Sequence, residues 1–385
     1  MNIRKLYYTM KEDDFHSYLN QVKTDPSAVS VLSDTFFCYP DQDLNDRILQ
    51  IHKSQKDFDS VISTFSDFAQ KQIIQSYLIN EIQSTNRIEN IHSTRHDIFL
   101  VMNKVRNSSD KHIQSVVNSY MMLLSENNTT LNGLQNLRTQ YDLLMKDAFE
   151  ESSDRPDGEF FRRKPVIISD GLKTIHNGFY PEEKINEGMR QFLKIYNNGA
   201  LDIYLRLILS HFILETVHPF YDGNGRFGRY LISRELFRQE KSYTSFLIAS
   251  SIHNQKNRYY KAFRTAEDIH AYGCLNPYSE SLLQILSDGF NLETKNLKEK
   301  ELLLQSLKAE IPDDIKKSER CILTVLQEAS VFTFYGISTD EIMEQTSLSK
   351  RTVIYALNDL RKRNLLVETK FGRITYRKAL IPEKS

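Results

Sequence analysis

The chain has 385 residues, with 50 Lys+Arg against 50 Asp+Glu, 40% hydrophobic and 26% charged residues, and only 13 Gly and 9 Pro. That length exceeds what one hydrophobic core usually serves, so two or three domains are expected, and the composition excludes fibrous and low-complexity classes. A formal charge of zero gives no global pull toward nucleic acid or membrane, so any basic surface must be local. Met1 to Phe15 mixes both charge signs without an apolar stretch, and no run of about 18 apolar residues occurs anywhere. Cys38, Cys274 and Cys321 are widely spaced and form no ligand cluster. The expectation is a cytoplasmic protein without secretory signal or membrane span, its cysteines reduced and in the core.

The first forty-odd residues read as a helical extension. From about Leu44 to Leu144 apolar residues recur at three and four, as in Ile73, Ile74, Tyr77, Leu78 and Ile82, which predicts helices. The stretch Asp154 to Gly158 breaks that pattern. Lys164 to Tyr180 then alternates, with Asp170-Gly171 and Asn177-Gly178 as turn signals, and predicts a β-hairpin flap. Helical periodicity resumes at Pro181, runs through Ala200 to Thr216, and returns after Gly225 as far as about Gln239. Leu201 to Leu214 is apolar nearly all round, the mark of a helix buried inside a bundle. A charged, Leu-punctuated connector follows over Asn291 to Glu310. Beyond it, helices are predicted around Ile322 to Leu326, from Ser338 to Gln345 and from Ser349 to Asn364, then two short strands over Leu366 to Tyr376.

Directly after the buried helix comes His218-Pro219-Phe220-Tyr221-Asp222-Gly223-Asn224-Gly225-Arg226-Phe227-Gly228-Arg229. Gly223 and Gly225 permit positive φ and close approach of a ligand, so successive backbone N–H groups can form an anion nest at the start of the next helix. Arg226 and Arg229 are three apart, on one face, where they can clamp two phosphates. Asp222 offers a hard oxygen to Mg²⁺, which takes its other ligands from phosphate and water. His218 can take a proton from an attacking hydroxyl near neutral pH. Each residue alone has a plain structural reading; their crowding into twelve positions between two helices points to phosphoryl-type transfer.

The stretch resembles, at every fixed position, the HxFx(D/E)GNGRxxR signature of the Fic family. That resemblance implies a mainly α fold, a helical bundle with a β-hairpin flap, and transfer of AMP from ATP with Mg²⁺ to a Ser, Thr or Tyr hydroxyl of a protein target or of the enzyme itself. It implies His218 as base, Asp222 as metal ligand, Gly223, Asn224 and Gly225 as phosphate cradle, and Arg226 and Arg229 on the β and γ phosphates. Relatives that phosphorylate or transfer phosphocholine depart at the positions of Gly225 and Gly223; this chain keeps both glycines. Upstream, Glu81 to Asn90 is similar to the inhibitory (S/T)xxxE(G/N) element of the family. Thr85 and Glu89 share a helix face, Asn90 suits a left-handed cap, and a Glu89 carboxylate on Arg229 would take the place of the γ-phosphate. Some relatives use this Glu to remove AMP instead. Asn257, Tyr259 and Tyr260 resemble the segment that lines the nucleoside pocket in the family.

The C-terminal helices and strands resemble a winged helix-turn-helix domain. Lys350, Arg351, Arg361, Lys362, Arg363, Lys370, Arg373, Arg377 and Lys378 make it locally basic, which suits DNA, while such domains also serve as dimer or protein-docking modules. The expected division is an N-terminal helical region with the inhibitory helix (1–110), a catalytic core (111–290), a connector (291–315) and the winged domain (316–385). A homodimer is the natural guess. The competing reading is a DNA-binding regulator whose Fic domain senses nucleotide.

Overall fold

The computed structural model describes residues 3–103, 113–125, 130–149, 155–169, 174–371 and 374–381. In chain order the elements are α1 (Ile3–Thr9), α2 (Glu12–Lys23), β1 (Val29–Val31), β2 (Phe36–Cys38), α3 (Gln42–Ile62), α4 (Asp67–Ile88), α5 (Arg95–Met102), α6 (Gln114–Leu123) and α7 (Leu134–Met145). Next come β3 (Ile167–Ser169), β4 (Thr174–Asn177), α8 (Glu182–Tyr196), α9 (Ile203–Val217), α10 (Asn224–Glu240), α11 (Ile248–Asn254), α12 (Lys256–Ala266) and α13 (Asn276–Ala309). The last are α14 (Lys317–Phe332), α15 (Thr339–Thr346), α16 (Lys350–Lys362), β5 (Leu366–Phe371) and β6 (Ile374–Ala379). The fold is mainly helical, and each of the three sheets among the described residues is an antiparallel pair. No described helix is long and apolar enough to cross a membrane.

The chain divides into two compact units, one of 1–56 with 78–290 and the other of 57–77 with 291–385. In the first, α9 is the central helix, packed against α8 and α10. The flap expected between Lys164 and Tyr180 is present as β3 and β4, paired from Ile167 with Asn177, while its Asp170-Gly171 turn lies outside the described residues. The N-terminal extension is not purely helical: β1 and β2 form a hairpin whose link, Leu32 to Asp34, is left-handed at all three residues. Phe37 packs there with Ile3, Phe15, Leu19 and Val22 from α1 and α2. Cys38 and Cys274 are buried as expected, whereas Cys321 is exposed on α14, where the apolar stripe of the helix passes through Ile322 and Leu326 instead.

The charged stretch from Asn291 continues a helix that has already begun at Asn276. In the second unit, Ile322, Leu326, Val353, Leu357 and Leu360 share a core. Ser338 and Ser349 cap α15 and α16, accepting from Glu341 and Thr352 N–H groups as their sequence positions suggest. Ile337 and Arg377 exchange two backbone hydrogen bonds of 2.9 Å, which adds a bridge beside the β5–β6 hairpin. Much of the basic set is engaged within the unit. Arg361 and Arg377 pair with Glu368 at 2.8 and 2.7 Å, Arg363 with Asp314 at 2.8 Å and Lys362 with Asp359 at 3.4 Å. Lys378 donates to the Thr333 and Phe334 carbonyls.

Candidate active site

Every residue of α9 except Glu215 is buried, so the helix delivers whatever follows it from a fixed position in the core. Asp202 caps its start, accepting from the Tyr204 and Leu205 N–H groups at 2.9 and 3.2 Å. The helix ends on His218, whose left-handed backbone (φ 52°) closes its N–H on Leu214 O at 2.9 Å and turns the chain outward. The ring Nδ1 lies 3.4 Å from the Glu215 carbonyl. A carbonyl only accepts, so Nδ1 carries the hydrogen and Nε2 the lone pair.

The loop that follows is fastened from three sides. Phe220 stacks on Tyr141 with ring centroids 3.4 Å apart and meets Phe161 and Phe227 edge-on. The Tyr141 hydroxyl donates to Asp222 O at 2.7 Å. Asn224 both donates to Phe220 O (2.9 Å) and accepts from Phe220 N (3.0 Å), so its side chain holds the loop and its backbone N–H is what it offers a ligand. The third fastening is Arg162, a fully buried guanidinium that donates to His218 O (2.9 Å), Lys164 O (2.6 Å) and Phe179 O (2.8 Å). It therefore ties the base of the flap to the base of the loop after α9. Gly178 is required beside it, since a Cβ there would stand 2.5 Å from Arg162 Nη2. Tyr141→Phe removes one hydrogen bond and keeps the stacked ring; the expected cost is about 1 kcal/mol, read as a lower thermal midpoint.

Gly223, at φ 74°, forms the N-cap of α10, whose first turn opens on the loop. The two arginines near the start of α10 differ in their partners. Arg226 is turned onto Asp222, with Nη2 and Oδ2 2.7 Å apart, while the Asp222 carboxylate remains 56% exposed. Arg229 is 1% exposed and points toward α4, donating from Nη2 to Glu89 Oε1 at 2.6 Å and to Thr85 O at 3.2 Å, and from Nε to Thr85 Oγ1 at 3.0 Å. Burial alone would push the Glu89 carboxyl up; Arg229, with Arg226 and Lys256 behind it, outweighs that and holds it below its ordinary value. The pair's contribution is thus present above the ordinary carboxylate range and is lost as pH falls through the lowered value. Glu89 also occupies the space that Gly225 leaves, because a Cβ there would be 2.2 Å from its Oε1.

Two further contacts fix the α4 end. Asn90, at φ 59°, closes the helix as Ile91 N and Asn90 N donate to Asn86 O and Arg87 O. Lys256 Nζ donates to Ile88 O at 2.7 Å, a cation on the negative end of the helix. Farther back on the same face, Glu81 accepts from the N–H groups of Ala249 (2.7 Å) and Ser250 (3.2 Å) at the start of α11. Burial pushes its carboxyl up to about 7 against those bonds. Glu81→Ala leaves both donors without it, an expected loss of about 2 kcal/mol in unfolding stability.

These elements enclose a cavity of about 470 Å³, of a size suited to a nucleotide, lined by His218, Asp222, Gly223 to Gly225, Arg229, Tyr259, Tyr260 and Phe263. Glu89 and Glu215 face into it as well. Of the residues singled out in the sequence, Arg226 does not line the cavity and Asn257 is exposed on α12 without reaching it. Arg162, Lys256 and Glu215 belong to the arrangement without having been singled out. Among the described residues no group of three His, Cys, Asp or Glu is placed to hold a metal.

Residues 131–236 match the model of the Fic/DOC family, a span that includes α9, the loop and α10 as far as Leu236. That span is similar to a Fic/DOC domain. A probable protein adenylyltransferase of Aquifex aeolicus is 32% identical over 72 residues, 19% of this chain and 20% of that protein, so the match spans about a fifth of the relative. A Fic family protein from Desulfovibrio desulfuricans G20 is similar in structure, with a TM-score of 0.54 at 18% identity over 87% of this chain and 97% of that one. Fic-1 from C. elegans gives 0.49 at 11% identity over 78% of this chain and 81% of that one. At such identity the likeness to the Desulfovibrio protein is one of fold. Tyr141, Phe161 and Arg162 support the loop from inside the matched span, whereas Thr85 on α4 and Glu89 in the turn just past its end reach Arg229 from outside that span.

Proposed function

We propose that this protein is a protein adenylyltransferase that moves AMP from ATP to a hydroxyl of a protein side chain, and that Glu89 holds it in check. The observation that carries this reading is the convergence on one cavity of His218, the glycine-lined start of α10 and Arg229, with Glu89 bonded to the arginine. In the proposed reaction the acceptor oxygen attacks the α-phosphorus, its proton passes to His218 Nε2, and the bond to the bridging oxygen breaks to release pyrophosphate. The N–H groups at Gly223 to Gly225 and the Arg229 guanidinium receive the charge of the phosphates. Asp222 fits a role toward Mg²⁺, being one exposed carboxylate beside an anion cradle, and the ion when bound would neutralise phosphate charge.

With Glu89 on Arg229 the triphosphate loses its outer anchor, and the α-phosphorus is no longer held in line for attack. ATP labelled at the α-phosphate should label protein in the presence of Mg²⁺, and ATP labelled at the γ-phosphate should not; the reverse pattern would mean phosphoryl rather than adenylyl transfer. The reading as a DNA-binding regulator draws less support. The three helices and hairpin of the second unit have the order of a winged helix-turn-helix, which we take them to be. Yet Arg361, Lys362, Arg363 and Arg377 are in ion pairs within that unit, which leaves chiefly Lys350, Arg351 and Lys370 to meet phosphates.

A further inference from the structure

The carboxylate that meets Arg229 is not carried on the body of a helix. Glu89 stands just past the last residue of α4, in a turn where Glu89 and Ile91 donate their backbone N–H groups to Asn86 O (3.1 and 2.9 Å) and Asn90 donates to Arg87 O (3.1 Å). A helix end of this kind is where local opening is cheapest. Glu89 reaches Arg229 through one short bond, Nη2 to Oε1 at 2.6 Å. A turn free to shift by about an ångström would carry that bond out of hydrogen-bonding range.

The turn is held from outside α4. Ile88 O, the last carbonyl of the helix, receives no backbone N–H among the described residues. Its donors come from α12 instead, Lys256 Nζ at 2.7 Å and the Tyr260 hydroxyl at 3.4 Å. The same ammonium lies 3.4 Å from Asn90 Oδ1. One cation therefore grips the residue before Glu89 and the residue after it. Lys256 itself is half-buried at the wall of the cavity, with Nζ 5.8 Å from the centre of the Tyr260 ring. Both oxygens it reaches belong to the turn and neither to its own helix.

We propose that Lys256 is a positioning residue of the inhibitory contact: by holding Ile88 O and Asn90 Oδ1 it fixes the turn that sets Glu89 on Arg229, and it takes no part in the transfer step. This rests on the reading of Glu89 as a brake on adenylyl transfer and adds to it the group that keeps the brake engaged.

The test is a double-mutant cycle on the initial rate of α-label incorporation at saturating MgATP, with parent, Lys256→Met, Glu89→Gly and the double variant. Methionine keeps an apolar stem beside Tyr260 and removes the ammonium. In the parent background Lys256→Met should raise the rate about five- to tenfold, the weight of a charge-assisted hydrogen bond at a half-buried site. In the Glu89→Gly background it should change the rate by less than about twofold, since no carboxylate is left to place. No rise in the parent background, or the same factor in both backgrounds, overturns the proposal. A fall in both would mean that Lys256 serves the nucleotide, and overturns it as well. If Glu89→Gly protein incorporates no label, the transferase reading fails first, and a measurement without nucleotide still decides the role of Lys256. Hydrogen exchange at the Asn90 and Ile91 amides should be about fivefold faster in Lys256→Met than in the parent, with the amides in the second half of α12 unchanged. Equal exchange at the turn overturns the proposal.

Discussion

Replacing Glu89 with Gly should raise MgATP-dependent self-labelling by tens of fold, up to about 100-fold. A brake that leaves about one molecule in a hundred competent corresponds to a bias of roughly 3 kcal/mol. The contact seen here can supply a bias of that order. Arg229 is almost wholly buried and gives Glu89 a 2.6 Å charge-assisted bond, and removing one partner of a buried pair commonly costs about 3–5 kcal/mol. Glu89 is 32% exposed, which places the expected bias toward the lower end. The released Arg229 keeps its bonds to Thr85, so the guanidinium stays in place to receive a phosphate. Glycine also clears the space next to Gly225, which any side chain reaching toward Arg229 would fill. The check is the initial rate of α-label incorporation in parent and variant; equal rates would remove the brake from the account and leave the Glu89 pair as a structural contact.

His218→Ala, made in the Glu89→Gly background, should lower that rate by about 100-fold or more while leaving MgATP affinity within a few fold. The first part follows from removal of a positioned base, an effect usually of that size or larger. The second follows from the geometry, because the groups suited to the phosphates are the α10 N-terminus and Arg229, and none of their bonds involves the His218 ring. The left-handed backbone at residue 218 is held by Leu214 O and by Arg162 on its carbonyl. Alanine in that conformation carries a modest strain, so the thermal midpoint should be recorded beside the rate. A parallel loss of affinity would mean that the imidazole helps hold nucleotide rather than prime the acceptor.

The sequence and the structure agree most closely where the relevant contacts are local. His218 to Arg229 is legible as a unit because the residues proposed as base, cradle and cations stand together in one loop and the start of one helix, and α9 is legible because an almost wholly apolar helix has nowhere to lie but inside. Thr85 and Glu89 could be placed only through the family pattern, since residue 89 meets residue 229 across a long loop of chain. Arg162 carries no such signal. A lone arginine before a flap reads as a solvated side chain, and only the fold brings three carbonyls around it. Glu215 is similar, a single acid in an apolar helix that only the fold brings to the cavity. The β1–β2 hairpin was illegible for another reason, as strands of three residues are too short to show alternation. The two arginines at three-residue spacing predicted a joint clamp, and spacing alone could not foresee that Asp222, one turn before Arg226, would draw that side chain aside.

The central claim is that the start of α10 and Arg229 grip a triphosphate in the place that Glu89 now occupies. A crystal structure of the Glu89→Gly protein with Mg²⁺ and a non-hydrolysable ATP analogue tests it most directly. The account predicts phosphate oxygens on the N–H groups of Gly223 to Gly225, the terminal phosphate on the Arg229 guanidinium and the α-phosphorus beside His218. A nucleotide seated elsewhere, or an Arg229 that leaves the cavity once Glu89 is gone, would contradict it.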